Sequence, residues 1–126
     1  MRERFGEAEA FFRRHFIANY CPLLFLDAEG RNLTPDRLSP ADRGPLLAVC
    51  DRHLRRVLTI LRPRWAIGIG RFAEGRLRSL SARLPEGARR LLQVAGIPHP
   101  SPASPAANRD WASRTVRILT ELGVWE

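Results

Sequence analysis

The sequence contains no lysine: all 21 of its basic side chains are arginine. That absence excludes a Schiff-base lysine, a P-loop lysine and a lysine general base. Cysteine is scarce as well, with Cys21 and Cys50 the only two, and there are three histidines. The C-x-x-C spacing of a zinc or redox site is missing and the scattered histidines do not supply one. Both thiols therefore read as buried and reduced, and neither a metal nor a cofactor is expected. No stretch approaches the ~20 apolar residues of a transmembrane helix. The first residues, Met1 to Glu7, lack the apolar core of a signal peptide. These absences point to a cytoplasmic chain with no membrane partner.

What is present suits one folded unit spanning residues 1–126, with 44% hydrophobic and 27% charged residues. The net charge of +8 favours an anionic partner, and raises the question whether that partner is nucleic acid.

Apolar spacing predicts a first helix over about Glu7–Ala18, with Phe11, Phe12 and Phe16 on its inner face. The short apolar run Cys21–Leu26 reads as a strand buried on both faces. Ser39-Pro40-Ala41-Asp42 has the form of a capped helix start, and Pro63 ends the helix it opens. Trp65–Gly70 is a second buried strand, followed by a helix that turns Ala73, Leu77, Leu80 and Leu84 inward. Leu91–Ala95 is a third strand, and a final helix runs from about Pro105 to Leu122. Alternating helices and buried strands predict an α/β fold with a parallel sheet covered by helices on both faces. Ligands bind such sheets beyond the carboxyl ends of the strands. Asp27 to Asp36, Gly68 to Arg71 and Pro98 to Ser104 are expected there.

Three features of those segments carry chemistry. Gly68-Ile69-Gly70 suggests a dinucleotide turn, but Ala73 replaces the third glycine and no acid follows on the next strand. It serves equally as a tight turn whose free N–H groups face a phosphate or water. Four prolines stiffen the stretch Pro98–Pro105 around His99, Ser101 and Ser104. Such a loop can hold a phosphate while presenting an imidazole, although an isolated loop histidine also occurs without function. Asn19 is either a polar site residue or the C-cap of the first helix.

Three blocks, read in order, then resemble a known family: Ala18-Asn19-Tyr20-Cys21-Pro22-Leu23-Leu24-Phe25-Leu26, Gly30-Arg31-Asn32-Leu33-Thr34-Pro35, and His99-Pro100-Ser101-Pro102 with Pro105 and Asn108. They are similar to the single-strand-selective monofunctional uracil-DNA glycosylases of the uracil-DNA glycosylase superfamily. The likeness runs from about Phe11 to Trp125. It implies a three-layer α/β/α domain of that type and a role in base-excision repair. The expected reaction is hydrolysis of the N-glycosidic bond of uracil, flipped out of single- or double-stranded DNA.

The resemblance also implies roles for individual residues. His99 would donate a hydrogen bond to uracil O2 as charge develops there. The Asn19 amide would read the base, accepting from N3–H and donating to O4. Gly70 and Arg71 would grip backbone phosphates. Pro100, Ser101, Pro102, Ala103, Ser104, Asn108 and Arg109 would form the wedge loop and short helix that enter the DNA where the base has left. Independently of resemblance, the lack of lysine leaves no side-chain amine for strand cleavage by a lyase step.

Departures from the family pattern shape the expectation. Ala103 and Ser104 stand where some relatives carry larger polar residues, and Asp110 follows Arg109 where relatives often have glycine. The family's first motif, a G-x-N-P-G-P-like segment with the water-positioning residue, has no counterpart before Phe11. The expected architecture is thus three strands with the family's first strand missing. The chain reads as a truncated glycosylase with little or no turnover alone, to which a missing N-terminal fragment could be a partner. The alternatives are a non-catalytic basic DNA-binding fragment, half of a split glycosylase, or an inactive folding remnant.

Overall fold

A computed structural model of the chain describes residues 2–33, 35–100 and 110–126. Helices α1 (Arg2–Phe5) and α2 (Ala8–Phe12) open the chain, and a 3-10 turn at Pro35–Arg37 precedes α3 (Pro40–Leu61). Then follow β1 (Trp65–Ile69), α4 (Arg71–Ser81), α5 (Glu86–Arg89), β2 (Gln93–Ile97) and α6 (Trp111–Glu121). The strands β1 and β2 pair in parallel, in a register running from Trp65↔Gln93 to Ile69↔Ile97.

The two strands divide the core. Successive side chains of a strand point to opposite faces, so Ala66 and Val94 meet Leu58, Leu77, Leu84 and Ala88 on one side. On the other side Ile67 and Ile97 pack with Phe11, Leu119, Trp125 and Trp111. Each buried leucine contributes up to about 1.5–3 kcal/mol relative to exposure. α4 rides so close to β1 that a Cβ at Gly68 would collide with the backbone of Ala73 and Glu74.

The capping expected for α3 is observed. Ser39 Oγ accepts from the Asp42 N–H at 3.2 Å and donates to the Asp42 carboxylate at 2.7 Å. Arg62 closes the helix in the left-handed conformation, φ 45°, with its N–H on the Leu58 carbonyl at 3.0 Å.

Three expectations need correction. The segment Cys21–Leu26 is not a sheet strand, and among the described residues the sheet has two strands, not the expected three. A buried strand needs a hydrogen-bonding neighbour, and among the described residues none lies beside this segment in the sheet. Instead Leu26 bridges Asn32 in antiparallel fashion, and Leu33 donates to the Phe25 carbonyl at 2.8 Å. The Asp27 carboxylate closes that small hairpin by accepting from the Glu29 and Arg31 N–H groups. Asp27 to Asp36 therefore does not follow a sheet strand.

The helix expected over Glu7–Ala18 is α2, which ends at Phe12, and of its expected inner face only Phe11 is buried, with Phe12 and Phe16 exposed. His15 folds back, its ring stacked on Phe11 at 4.1 Å, and its backbone N–H and Nδ1 both use the Phe11 carbonyl. Lastly, β2 begins two residues later than the apolar run suggested, because Leu91 is exposed while Gly96 and Ile97 complete the pairing. The Glu74 carboxylate reaches into the space a Cβ on Gly96 would take, so a larger residue there would have to displace that side chain.

Candidate base-recognition and phosphate site

β1 and β2 end side by side, and the parallel ladder gains one more bond from the Gly70 N–H to the Ile97 carbonyl at 2.8 Å. Gly70 then turns sharply, φ 89° and ψ 162°, to become the N-cap of α4. That region of backbone space is essentially reserved for glycine. The side chain of His99 lies directly over it: a Cβ on Gly70 would sit 3.1 Å from His99 Cβ and 3.6 Å from the ring carbons Cγ and Cδ2. The sharp turn and the missing side chain thus let the imidazole lie on the strand end, beside the first turn of α4.

That first turn has an electrostatic consequence. The Gly70 carbonyl receives the Glu74 N–H at 3.1 Å. The N–H groups of the first helical residues have no carbonyl of the preceding turn to bond, and the helix dipole is positive there. Arg71, exposed at the first helical position, adds a full charge. An anion at this end would meet N–H groups, a guanidinium and an imidazole together.

His99 is held from behind. Ile97 is buried in the core, and the Trp111 indole N–H donates to the Pro98 carbonyl at 2.6 Å. Trp111 is the first residue of α6, the final helix expected from the sequence. Its place just after a proline-rich loop is the signal that it also ties down the start of that loop.

Asn19 lies outside any helix, so the C-cap alternative falls away. It is exposed, and among the described residues it forms no hydrogen bond with Gly70 or His99. Its neighbour Tyr20 is pinned beside α4, edge-on to Phe72 with ring centroids 5.2 Å apart. The Tyr20 hydroxyl donates to Asp51 on α3 at 2.7 Å, and Arg76 of α4 pairs with the same carboxylate. Burial and the Asp51 carboxylate push the phenol well above its ordinary value. This Tyr20–Asp51–Arg76 network, not foreseen from the sequence, fixes the chain next to Asn19 against the helix whose N-terminus faces His99. Cys21 follows Tyr20 and neighbours Cys50, whose thiol burial pushes up to about 11; both thiols are free.

The structure therefore brings Gly70, Arg71 and His99 to one end of the sheet and leaves Pro100 exposed beside them. Ser101, Pro102, Ala103, Ser104, Asn108 and Arg109 lie outside the described residues. Asp110 is exposed and precedes α6 without a side-chain capping bond. Among the described residues no three His, Cys, Asp or Glu side chains gather as a metal site. No described helix is long and apolar enough to cross a membrane.

No protein-family model matches the chain. Individual proteins do. A single-strand selective monofunctional uracil DNA glycosylase of Bos taurus is 45% identical over 120 residues, 94% of this chain and 42% of that protein. The chain is a relative of these glycosylases. The Rattus norvegicus protein of the same description is 45% identical and the Mus musculus protein 44%, each over 94% of this chain. The chain spans about two-fifths of the length of these curated relatives, 41–42%.

Proposed function

We propose that this chain carries the base-reading and DNA-gripping chemistry of a monofunctional uracil-DNA glycosylase acting in DNA repair. The observation that carries this reading is His99 lying on Gly70 at the joint end of β1 and β2, against the positive end of α4. The likeness to three mammalian glycosylases supports it.

In such a reaction the C1′–N1 bond breaks and its electron pair stays on the base. Water oxygen then bonds to C1′ of the oxocarbenium-like sugar and gives up a proton. The departing uracil is an anion, and an imidazole N–H near O2 stabilises it more strongly as charge grows. One such donor is worth about 2.7–4 kcal/mol, or 10²–10³ in rate. The α4 N-terminus and Arg71 hold phosphates. Asn19 supplies one acceptor and one donor that match N3–H and O4 of uracil. Cytosine reverses both groups and would leave them unpaired at about 1–3 kcal/mol each. No lysine in the sequence offers a side-chain amine for a lyase step, which agrees with an abasic site as the product.

The test incubates the chain with a uracil-containing single-stranded oligonucleotide and develops abasic sites with alkali. Binding is compared with a cytosine oligonucleotide of the same sequence, whose base reverses the groups that Asn19 would read. His99→Ala is expected to lower excision by about 10²–10³, and Asn19→Ala to abolish the preference for uracil. Excision undiminished by His99→Ala would remove that residue from the mechanism.

A second reading is favoured by one pair of observations. β1 has a strand on one edge only among the described residues, and no G-x-N-P-G-P-like segment occurs in the sequence. On that reading the chain is a DNA-holding fragment, or one half of a split glycosylase, and lacks the water-positioning group. Salt-sensitive DNA binding without abasic sites selects it.

A further inference from the structure

We propose that the opposite end of the sheet is a second nucleic-acid contact, a sequence-indifferent clamp on the phosphate backbone formed by Arg55, Arg56, Arg62, Arg64, Arg83 and Arg90. Two depressions lie there, where the strands begin. One, of about 550 Å³, is lined by Arg55, Arg56 and Arg83 together with Ile60 and Leu84. The other, of about 440 Å³, is lined by Arg62, Arg64 and Arg90 with Leu91 and Gln93. The last turn of α3 joins them, contributing Ile60 to the first and leading into Arg62 of the second.

The charge is one-sided. Residues 52–64 and 82–93 hold eight arginines and a single carboxylate, Glu86. Among the described residues none of the six lining arginines forms an ion pair, although Arg31, Arg76 and Arg78 elsewhere do. A cationic surface without acidic partners is set for an anion from outside.

The backbone beneath is rigidly placed. Leu58, Ala66, Leu84 and Ala88 form the core under the patch. The Gln93 N–H donates to the Arg64 carbonyl at 2.8 Å, locking the two strand starts together. Arg62 is the one described non-glycine residue with positive φ. It is the αL C-cap of α3, its N–H held by the Leu58 carbonyl, which fixes the direction in which the chain leaves the helix.

The ligand chemistry follows from the side chains. Guanidinium groups fit phosphate oxygens two at a time. Spreading six of them over two adjoining depressions suits a repeating polyanion better than one small anion. Ile60 and Leu91, 77% and 70% exposed, interleave apolar surface with the charges, as sugar and base faces require. Five-residue strands separate this end from His99 by roughly 15 Å, so the clamp is distinct from the site there. It would keep DNA in hand while the His99 end engages one base.

The inference rests on the nucleic-acid part of the proposed function and not on catalysis, so a uracil-free single-stranded oligonucleotide is the probe. Affinity is measured against salt for the chain, for Arg62→Gln/Arg64→Gln/Arg90→Gln, and for the control Arg13→Gln/Arg114→Gln/Arg117→Gln, which removes the same charge. The cluster variant is expected to lose at least about tenfold in affinity. Its log K against log salt slope should fall by about 2, at roughly 0.7 per lost phosphate contact. Arg→Lys at the same three positions should retain the slope. Equal losses in cluster and control variants, or no loss in either, overturn the proposal. Photocrosslinking of the unsubstituted chain to a 4-thiothymidine oligonucleotide decides the matter even if a variant fails to fold. Adducts in residues 55–64 and 83–93 support the clamp, and adducts confined to residues 70–71 and 97–100 overturn it. A chain that never excises uracil can still pass this test, and one that loses the clamp can still excise at saturating DNA.

Discussion

Gly70 illustrates how one residue without a side chain determines where a chemical group stands. At φ 89° an alanine would be strained, and its methyl would press on His99 at 3.1 Å. Gly70→Ala is expected to cost about 1–3 kcal/mol, read as a lowered thermal midpoint, and to weaken DNA binding by displacing the imidazole. Cys50 offers a residue-level prediction of another kind. Burial chiefly, and then the neighbouring Cys21 thiol, raises its pKa from 9.0 to about 11. The folded chain keeps this proton while the unfolded chain loses it, so the stability it contributes is complete below pH 9 and lost as pH rises through about 11. Tyr20, also raised, acts in the same direction at higher pH. Urea midpoints should fall between about pH 9 and 11, and Cys50→Ala should flatten that fall while lowering stability at neutral pH. His99, Gly70 and Asn19 were legible as site candidates because polar or special residues stood at breaks in apolar patterns. Trp111 and Asp51 were not, because an inward tryptophan and an acid on a helix look like ordinary packing and solvation until their partners are known.

At the scale of elements, α3 and α6 set the limits of what propensity could say. The α3 boundaries follow from local chemistry, a serine cap before a proline and a proline after the last turn, and both appear in the structure. Ser39→Ala should therefore destabilise the chain by about 1 kcal/mol, measurable as a lower denaturation midpoint with DNA affinity unchanged. The strand expected at Cys21–Leu26 failed for a non-local reason. Apolar composition can nominate a strand, but only a neighbour with free N–H and C=O groups makes one, and that information lies elsewhere in the chain. α6 does more than cover the sheet, since its first residue holds the carbonyl preceding His99. Trp111→Phe keeps the ring and removes the donor. It should cost about 1 kcal/mol in stability, seen in thermal melts, yet lower the rate of uracil excision far more than that loss accounts for.

For the molecule as a whole, the sheet carries His99 at one end and an arginine-lined surface at the other, with a divided core between them. The parallel arrangement, the helices on both faces and the location of His99 beyond a strand end were readable from the alternation of helical and apolar segments. The arginine-lined end was hidden, because its charges are dispersed along the sequence and gather only when the starts of β1 and β2 come together. The placement of tryptophan gives this layout a spectroscopic use. Trp111 hydrogen-bonds beside His99, while Trp65 begins β1 at the arginine-rich end and keeps its indole N–H buried. Trp125, the third, donates its N–H to His15 in the core layer that also holds Trp111. Each end of the molecule thus has its own intrinsic fluorophore. With the other tryptophans replaced by phenylalanine, Trp111 emission should respond to an occupant at the base-reading end and Trp65 emission to one at the other, without an attached dye.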